Sequence, residues 1–350
     1  MRIGIIGAAG KIGQMRVVNV RANPRTTLVA VMDLNEAAAR AIAPDTPVFS
    51  DLQRFLDVPM DAVIISTPAH VREPLCLAAF ARGLHVLSEK PLHPTVDGSR
   101  RIVAAARAAN RHLGAGFNMR YYPAFAHVKD IIASGQIGEV DHMRIYGGHE
   151  GLPKFAYDWE YKAEFSGGGA LWDVGIHMTD MARHLLGEIT EVYGITSERV
   201  WKVPGSEDNA MAIFKSPSGV AATYQATWTD WKGYQSMVEV YGSHGMVRGA
   251  YAPMQTLTMT MDRPGGQVRR RVNRFPAIQI REKFKSWKTT ATLSFAAELD
   301  EFVDLTEGKT GLRIADGHAA LRAVEVAAAV AESSRSGQPV RLEILGPMHL

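Results

Sequence analysis

The sequence predicts an α/β protein. Its first part is a parallel sheet laced with helices, and its second part is dominated by strands that pair mostly antiparallel. Three observations lead there. In the first third of the chain, short apolar runs flanked by glycine and proline alternate with helical stretches, the pattern of βαβ units. Between Glu188 and about Arg271, strand-like runs follow one another with no helix between them. A glycine-rich turn, Gly7-Ala8-Ala9-Gly10-Lys11-Ile12-Gly13, joins the first strand to the first helix.

Taken in order, Arg2–Ile6 is a short apolar strand and Ile12–Val20 has helical character. Thr27–Met32 is a second β-branched run that ends at Asp33, and Asn35–Ile42 is helical in composition. Asp61–Ser66 reads as a buried strand, stopped by Thr67-Pro68. Pro74–Arg82 is helical and closes on Gly83, a residue suited to ending a helix. Leu84–Leu87 is the next strand, running into Ser88-Glu89-Lys90-Pro91, and Thr95–Ala109 is an Ala- and Arg-rich helix.

The second half has another texture. Tyr122–Ala133 is helical, Gly135–Gly138 breaks it, and Glu139–Tyr146 is strand-like. Gly147–Gly169 is a long loop rich in glycine and aromatics, and Leu171–Leu186 is helical. Strand runs follow at Thr190–Glu198, Ala210–Phe214, Val220–Thr227, Ser236–Tyr241, Met246–Gly249 and Gln255–Thr260. Arg269-Arg270-Arg271 reads as a solvated strand end. Two helices, near Ala291–Leu305 and Ile314–Ser334, close the chain.

Composition narrows the function classes. The chain has 350 residues, 46% apolar and 21% charged, with a formal net charge of +3. So small a charge gives no reason to expect nucleic acid or a membrane as partner. One cysteine, Cys76, excludes an internal disulfide and a cysteine-cluster metal site. No apolar run reaches the ~18 residues of a spanning helix. The N-terminus lacks the apolar core of a signal peptide, so a soluble, cytoplasmic protein is expected.

The glycine turn has the form G-x-x-G-x-x-G. Glycines between a first strand and helix permit a tight turn and let the backbone approach a pyrophosphate. The helix N-terminus offers N–H groups and partial positive charge to the phosphates. Asp33 falls 20 residues after Gly13, at the end of the second strand. A carboxylate there can accept hydrogen bonds from ribose and would repel a 2′-phosphate, which favours NAD over NADP. The bland reading is a plain glycine-rich turn with Asp33 capping the next helix.

Two further groups carry chemistry. Lys90, at the C-terminal end of a parallel strand, lies on the edge where such sheets bind ligands, and Pro91 restricts it and raises the chance of a cis peptide. Asp173, His177 and Asp180 fall at i, i+4 and i+7, one face of a helix. An imidazole titrates near neutrality and suits proton transfer, and a carboxylate beside it orients the ring. Gly167-Gly168-Gly169 upstream would leave room for something to approach the backbone. Two rival readings stay open: a satisfied interior histidine, or a zinc or manganese site built on the same three side chains.

Together these features resemble the glucose–fructose oxidoreductase / inositol dehydrogenase / rhizopine-catabolism (Gfo/Idh/MocA) family. The resemblance rests on the glycine turn with Asp33, Thr67-Pro68, Glu89-Lys90-Pro91, and Gly167-Gly168-Gly169…Asp173-x-Gly175-x-His177-x-x-Asp180. Gly116-Phe117-Asn118-x-Arg120-Tyr121, Ser134-Gly135-x-Ile137-Gly138 and Leu321–Gly337 add to it. It implies an N-terminal Rossmann domain over residues 1–118 and a C-terminal α+β domain with a large, mostly antiparallel open sheet over 119–350. The helix near 314–334 is expected to pack back toward the first domain, and the open sheet to build a homodimer or homotetramer.

The resemblance also implies NAD-dependent hydride transfer at a secondary alcohol or ketone of a sugar, cyclitol or related ring. Lys90, Asp173 and His177 would face the substrate, with His177 as acid–base and Lys90 polarising the reacting oxygen. Cofactor contacts are expected from Gly7, Ala9, Gly10, Lys11, Ile12, Gly13, Asp33, Ser66, Thr67, Pro68, His70, Glu89 and Lys90, with no metal. Asn118, Arg120, Tyr121, Tyr157 and Trp159 are candidate substrate contacts, and Tyr161 a further aromatic wall. Ala69 stands where the family often has Asn, and Arg72 where a His often follows Thr-Pro. Two alternatives remain: a redox-neutral enzyme that recycles tightly held NAD, such as an oxidation–elimination glycosidase, and a non-catalytic NAD-binding sensor.

Overall fold

In the computed structural model, which describes residues 1–344, the contacts divide the chain into two units. The first holds Met1–Asn118 and Thr290–Leu321; the second holds Met119–Thr289 and 322–344. The sequence boundary at 118/119 therefore coincides with the first crossing, but it assigns Thr290–Leu321 to the other side. The end of the expected second domain, 345–350, lies outside the described residues.

The first unit opens with β1 (Arg2–Ile6), α1 (Lys11–Ala22), β2 (Thr27–Met32), α2 (Glu36–Ile42), β3 (Val48–Phe49) and α3 (Leu52–Leu56). It continues with β4 (Ala62–Ile65), α4 (Arg72–Ala81), β5 (His85–Ser88), α5 (Val96–Ala108) and β6 (Leu113–Ala115). The strands lie in the order β3-β2-β1-β4-β5-β6, all parallel. This is the doubly wound arrangement, which binds dinucleotides where the strand order reverses at β1. The apolar strands carry no alternation because both faces are covered; Ile3, Ile5 and Ile64 are fully buried. β3, α3 and β6 are too short to stand out by composition.

The second unit holds α6 (Pro123–Ala133), β7 (Val140–Gly148), α7 (Ala163–Ser166), α8 (Val174–Leu186), β8 (Glu191–Ser197) and β9 (Asn209–Lys215). β10 (Ala221–Thr227), β11 (Gln235–Gly242), β12 (Gly245–Tyr251), β13 (Gln255–Thr260), β14 (Arg269–Arg274) and α9 (Pro276–Lys285) complete the run. The Arg269–Arg271 cluster is thus the exposed start of an edge strand, and α9 is an element the sequence reading lacks. α10 (Lys288–Thr306) and β15 (Ala315–Asp316) follow, then α11 (Gly317–Ser336) and β16 (Val340–Arg341).

Nine strands form the second sheet, ordered β14-β13-β12-β11-β7-β10-β9-β8-β16. It is antiparallel except between β7 and β10, which run parallel with Thr227 beside Gly148. Alternation decides its faces: along β9, Ala210, Ala212 and Phe214 are buried while Met211 and Ile213 are exposed. α8 lies on the buried face, close enough that a Cβ on Gly175 would sit 2.4 Å from the Tyr224 hydroxyl. In the first unit β15 adds antiparallel to β6, and Leu299 and Phe302 of α10 enter the core beside Ile3, Ile5 and Ile64.

Candidate functional site

In the first unit the chain leaves β1 at Gly7, whose φ of +81° suits glycine, and Gly7 donates its N–H to the Met32 carbonyl at 2.8 Å. A Cβ on Gly13 would lie 2.0 Å from the Gly7 carbonyl oxygen, so α1 can approach the turn only with glycine there. α1 starts after Gly10 with no side-chain cap and no carboxylate in its first turn. Its positive end is therefore left for something else. Asp33 closes the other side: Oδ2 accepts from Ala9 N–H at 2.9 Å and Oδ1 from Asn35 N–H at 3.0 Å. Lys11 is exposed and Ile12 half-buried in the first turn of α1. The carboxylate is thus tied to the glycine turn itself rather than merely following it.

The β4 end packs against this turn. A Cβ on Gly7 would meet the Ser66 carbonyl carbon at 2.9 Å and Thr67 Cγ2 at 3.2 Å. The Ser66 and Thr67 hydroxyl oxygens are buried and have no hydrogen-bond partner among the described residues. Buried orphan hydroxyls beside a glycine cradle are what a bound polar group would satisfy. Pro68 caps the short turn Ala69–Val71, in which His70 is half-buried. Lys90, half-buried, follows the C-terminal end of β5, and the Lys90-Pro91 bond is cis.

Two expected contacts in this unit are engaged elsewhere. The Glu89 carboxylate, expected at the cofactor, pairs with buried Arg16, which also pairs with Glu298. Glu89 is one of the two carboxylates that offset the buried Arg16 charge. Asn118, expected at the substrate, donates through Nδ2 to Ser294 Oγ at 2.8 Å and is buried.

In the second unit α8 carries the acid–base candidates. Asp173 is its N-cap residue, so the helix begins one position later. Every residue from Val174 to Arg183 is buried except His177. Asp173 and His177 are thus the half-exposed pair on an otherwise buried stretch, while Asp180 is buried and accepts both prongs of the Arg120 guanidinium. Asp180 and Arg120 are thus engaged with each other as a buried ion pair. Tyr121, next to Arg120, is half-buried in the short helical turn Asn118–Tyr121.

The Asp173 carboxylate has two partners that the sequence reading does not contain. His149 Nε2 lies 2.7 Å from Oδ2, and Trp228 Nε1 donates to the same oxygen at 3.2 Å. Gly151 N–H donates to His149 Nδ1 at 3.0 Å, so Nδ1 is an acceptor and the imidazole proton sits on Nε2, aimed at Asp173. Phe155 lies edge-on to both His149 and Trp228, and Tyr234 stacks flat on His149. Burial, with Tyr122, Asp173 and Tyr251 nearby, raises the Tyr234 hydroxyl well above its ordinary pKa, so it keeps its proton.

No local motif marks His149 or Trp228. The parallel register of β7 with β10 brings the two strand ends together, where His149 N–H donates to the Thr227 carbonyl at 3.0 Å. Of the loop aromatics, Tyr157 is exposed and stacks on Trp159, and the Tyr161 hydroxyl donates to Asp158. Phe155 is the loop ring that packs against His149 and Trp228, the partners of Asp173.

The triple glycine does leave room for a group to approach the backbone. Gly169 and Leu171 donate their N–H groups to the Glu207 carboxylate at 3.0 and 2.8 Å, and a Cβ on Gly169 would sit 2.1 Å from the Glu207 carbonyl. What approaches this backbone is Glu207. Burial outweighs those N–H donors and pushes the Glu207 carboxyl up to about 7. Among the described residues no group of three or more His, Cys, Asp or Glu could hold a metal ion, and no helix is long and apolar enough to cross a membrane.

Comparison with known proteins gives the family. Residues 1–117 match a model described as oxidoreductase family, NAD-binding Rossmann fold, and residues 125–248 match the GFO/IDH/MocA C-terminal domain. An inositol 2-dehydrogenase of Rhizobium meliloti is 30% identical over 93% of this chain and 96% of its own length. The chain belongs to the GFO/IDH/MocA family of oxidoreductases.

Other proteins are similar at lower identity. The scyllo-inositol 2-dehydrogenase (NAD(+)) of Bacillus subtilis is 28% identical over 98% of this chain and 97% of its own. A solved levoglucosan dehydrogenase in complex with NADH shares the fold with a TM-score of 0.84 at 22% identity, covering 99% of this chain and 100% of that one. As a GFO/IDH/MocA oxidoreductase with a Rossmann domain, the chain meets the requirements of a dinucleotide at the glycine cradle, the tied Asp33 carboxylate and the two orphan hydroxyls.

Proposed function

We propose that this protein is an NAD-dependent dehydrogenase or reductase that acts on a secondary alcohol or ketone of a sugar or cyclitol ring. The observation that carries the reading is the exposure pattern of α8, which buries ten consecutive residues save His177 and leaves it beside the anchored Asp173. A helix serving packing alone has no use for an imidazole and a fixed carboxylate at its open end. The names of the related dehydrogenases supply the substrate class.

Gly7, Gly10 and Gly13, the α1 N-terminus, Ser66, Thr67 and Asp33 would hold the dinucleotide. When bound, nicotinamide supplies the hydride chemistry. In the oxidising direction His177 takes the hydroxyl proton. Lys90 binds and polarises the reacting oxygen as negative charge builds on it. Asp173, with Oδ2 occupied by His149 and Trp228, is a preset acceptor for a substrate hydroxyl. Asp33 selects NAD over NADP, since its carboxylate accepts ribose hydroxyls and repels a 2′-phosphate.

The test is absorbance near 340 nm across a panel of sugars, cyclitols and sugar acids, with NAD and NADP compared. Turnover with NAD, and a loss of ~10²–10⁴-fold in His177→Ala with the melting temperature kept, is the expected outcome. Unchanged turnover in His177→Ala would overturn the role of the imidazole. For assembly, the supporting observation is the exposed apolar face of Tyr193, Ile195, Met211 and Ile213, which are cross-strand neighbours on β8 and β9. A contiguous apolar sheet face of this kind suits a second copy of the chain. Ile213→Glu should convert the oligomer to monomer in light scattering.

A further inference from the structure

Arg72 opens α4 and is buried, yet among the described residues no carboxylate accepts a hydrogen bond from its guanidinium. Its hydrogen bonds go to backbone carbonyls. Nε and Nη2 donate to the Thr67 oxygen at 2.9 and 2.6 Å. Nη1 donates to the Glu89 oxygen at 2.7 Å and also to the Pro91 oxygen. One planar group therefore ties the turn after β4 to the carbonyls of Glu89 and Pro91, the residues that flank Lys90.

The chemistry of the choice is specific. The Glu89 carboxylate offsets part of this charge through space but is hydrogen-bonded to Arg16, so burying the Arg72 guanidinium is still costly, and an apolar side chain would fill the same space without that cost. Arg is the side chain whose rigid fork reaches several acceptors at once; a lysine ammonium is a point donor that cannot span them. Burial lowers its pKa to about 10, which still leaves it cationic at neutral pH, so its hydrogen bonds are the charge-assisted kind. Helix packing does not require the carbonyls of residues 89 and 91 to be held together, whereas aiming residue 90 does.

We propose that Arg72 is a positioning residue: it fixes the backbone on either side of Lys90, and so the direction of the ammonium, and locks that segment to the Thr67 turn beside the glycine cradle. The inference rests on the reading that Lys90 acts in the reaction, and the experiment separates the two.

Three variants, Arg72→Ala, Arg72→Lys and Lys90→Ala, and the double variant Arg72→Ala/Lys90→Ala are compared with the parent, using the best-turned-over compound of the panel. Arg72→Ala should lower kcat about 100-fold, the scale of a misaimed group, while KM and NAD affinity stay within a few-fold. Arg72→Lys keeps the charge without the fork and should recover little. Millimolar guanidinium should restore Arg72→Ala and leave Lys90→Ala unmoved. The double variant should be no slower than Lys90→Ala, because both losses pass through one group.

A readout without substrate accompanies these: NMR of isotope-labelled methyl groups on the lysines, with the Lys90 signal identified by its loss in Lys90→Arg. That signal should shift in Arg72→Ala and return with guanidinium. If Lys90→Ala is fully active, the role of Lys90 fails. If Lys90→Ala is slow but Arg72→Ala keeps its kcat, or the two losses multiply, or the Lys90 signal does not move, the role of Arg72 fails. Should Arg72→Ala not fold, Arg72→Lys carries the kcat and NMR comparisons alone.

Discussion

The carboxylate of Asp173 is held by two ring N–H donors, and that decides what it can do. With Oδ2 accepting from His149 and Trp228, the group is fixed in plane before any substrate arrives. Preset orientation lowers the cost of reaching the reacting geometry. A hydrogen bond to a charged group contributes ~1.5–3 kcal/mol, so His149→Ala should slow turnover roughly tenfold to a hundredfold. NAD affinity, measured by fluorescence titration, should not change, because His149 lies in the second unit. An equal loss of NAD affinity would mean that His149 does something other than aim Asp173.

At the scale of elements, the segment that leads into α8 is held by one buried acid. Glu207 receives the N–H groups of Gly169 and Leu171, and burial raises its pKa from an ordinary 4.5 to about 7. The folded chain therefore binds this proton more tightly than the unfolded chain does. Its contribution to stability is complete below the ordinary carboxyl value and falls as pH rises through the folded value. Melting temperature should accordingly drop between about pH 5 and about pH 8 through this group. Glu207→Gln, which carries no charge, should flatten that part of the profile. A wild-type profile with the same slope as the Gln variant would show that Glu207 titrates normally.

Across the whole molecule, the first unit is not a continuous stretch of chain. α10 returns Leu299 and Phe302 to the core that holds Ile3, Ile5 and Ile64, and β15 adds to its sheet beside β6. Deleting a buried phenylalanine side chain costs ~3–5 kcal/mol. Phe302→Ala should cost that much in chemical denaturation of the full chain, and it should weaken NAD binding through loss of the folded first unit. A chain ended after residue 118 lacks those side chains, and its circular-dichroism melt should be broad or absent. A sharp melt from that fragment would show that the return segment is dispensable.

The sequence by itself determined the elements whose cause is local. Apolar runs of β-branched residues made β1, β2 and β4; the glycine spacing made the turn that Gly13 alone permits; and the distance from that turn to Asp33 foretold a carboxylate facing it. The i, i+4 spacing of Asp173 and His177 needed only a helix. Tertiary structure alone decided the rest, because contact between residues far apart in the chain leaves no mark in local spacing. The parallel register of β7 with β10 brought His149 and Trp228 to Asp173. Arg120 met Asp180, and Arg16 took Glu89, because the fold set a carboxylate within reach of each of these two buried guanidinium groups. Whether a charged side chain waits for a ligand or completes an internal pair is settled by its neighbours in space, and those are chosen by strand register and helix packing.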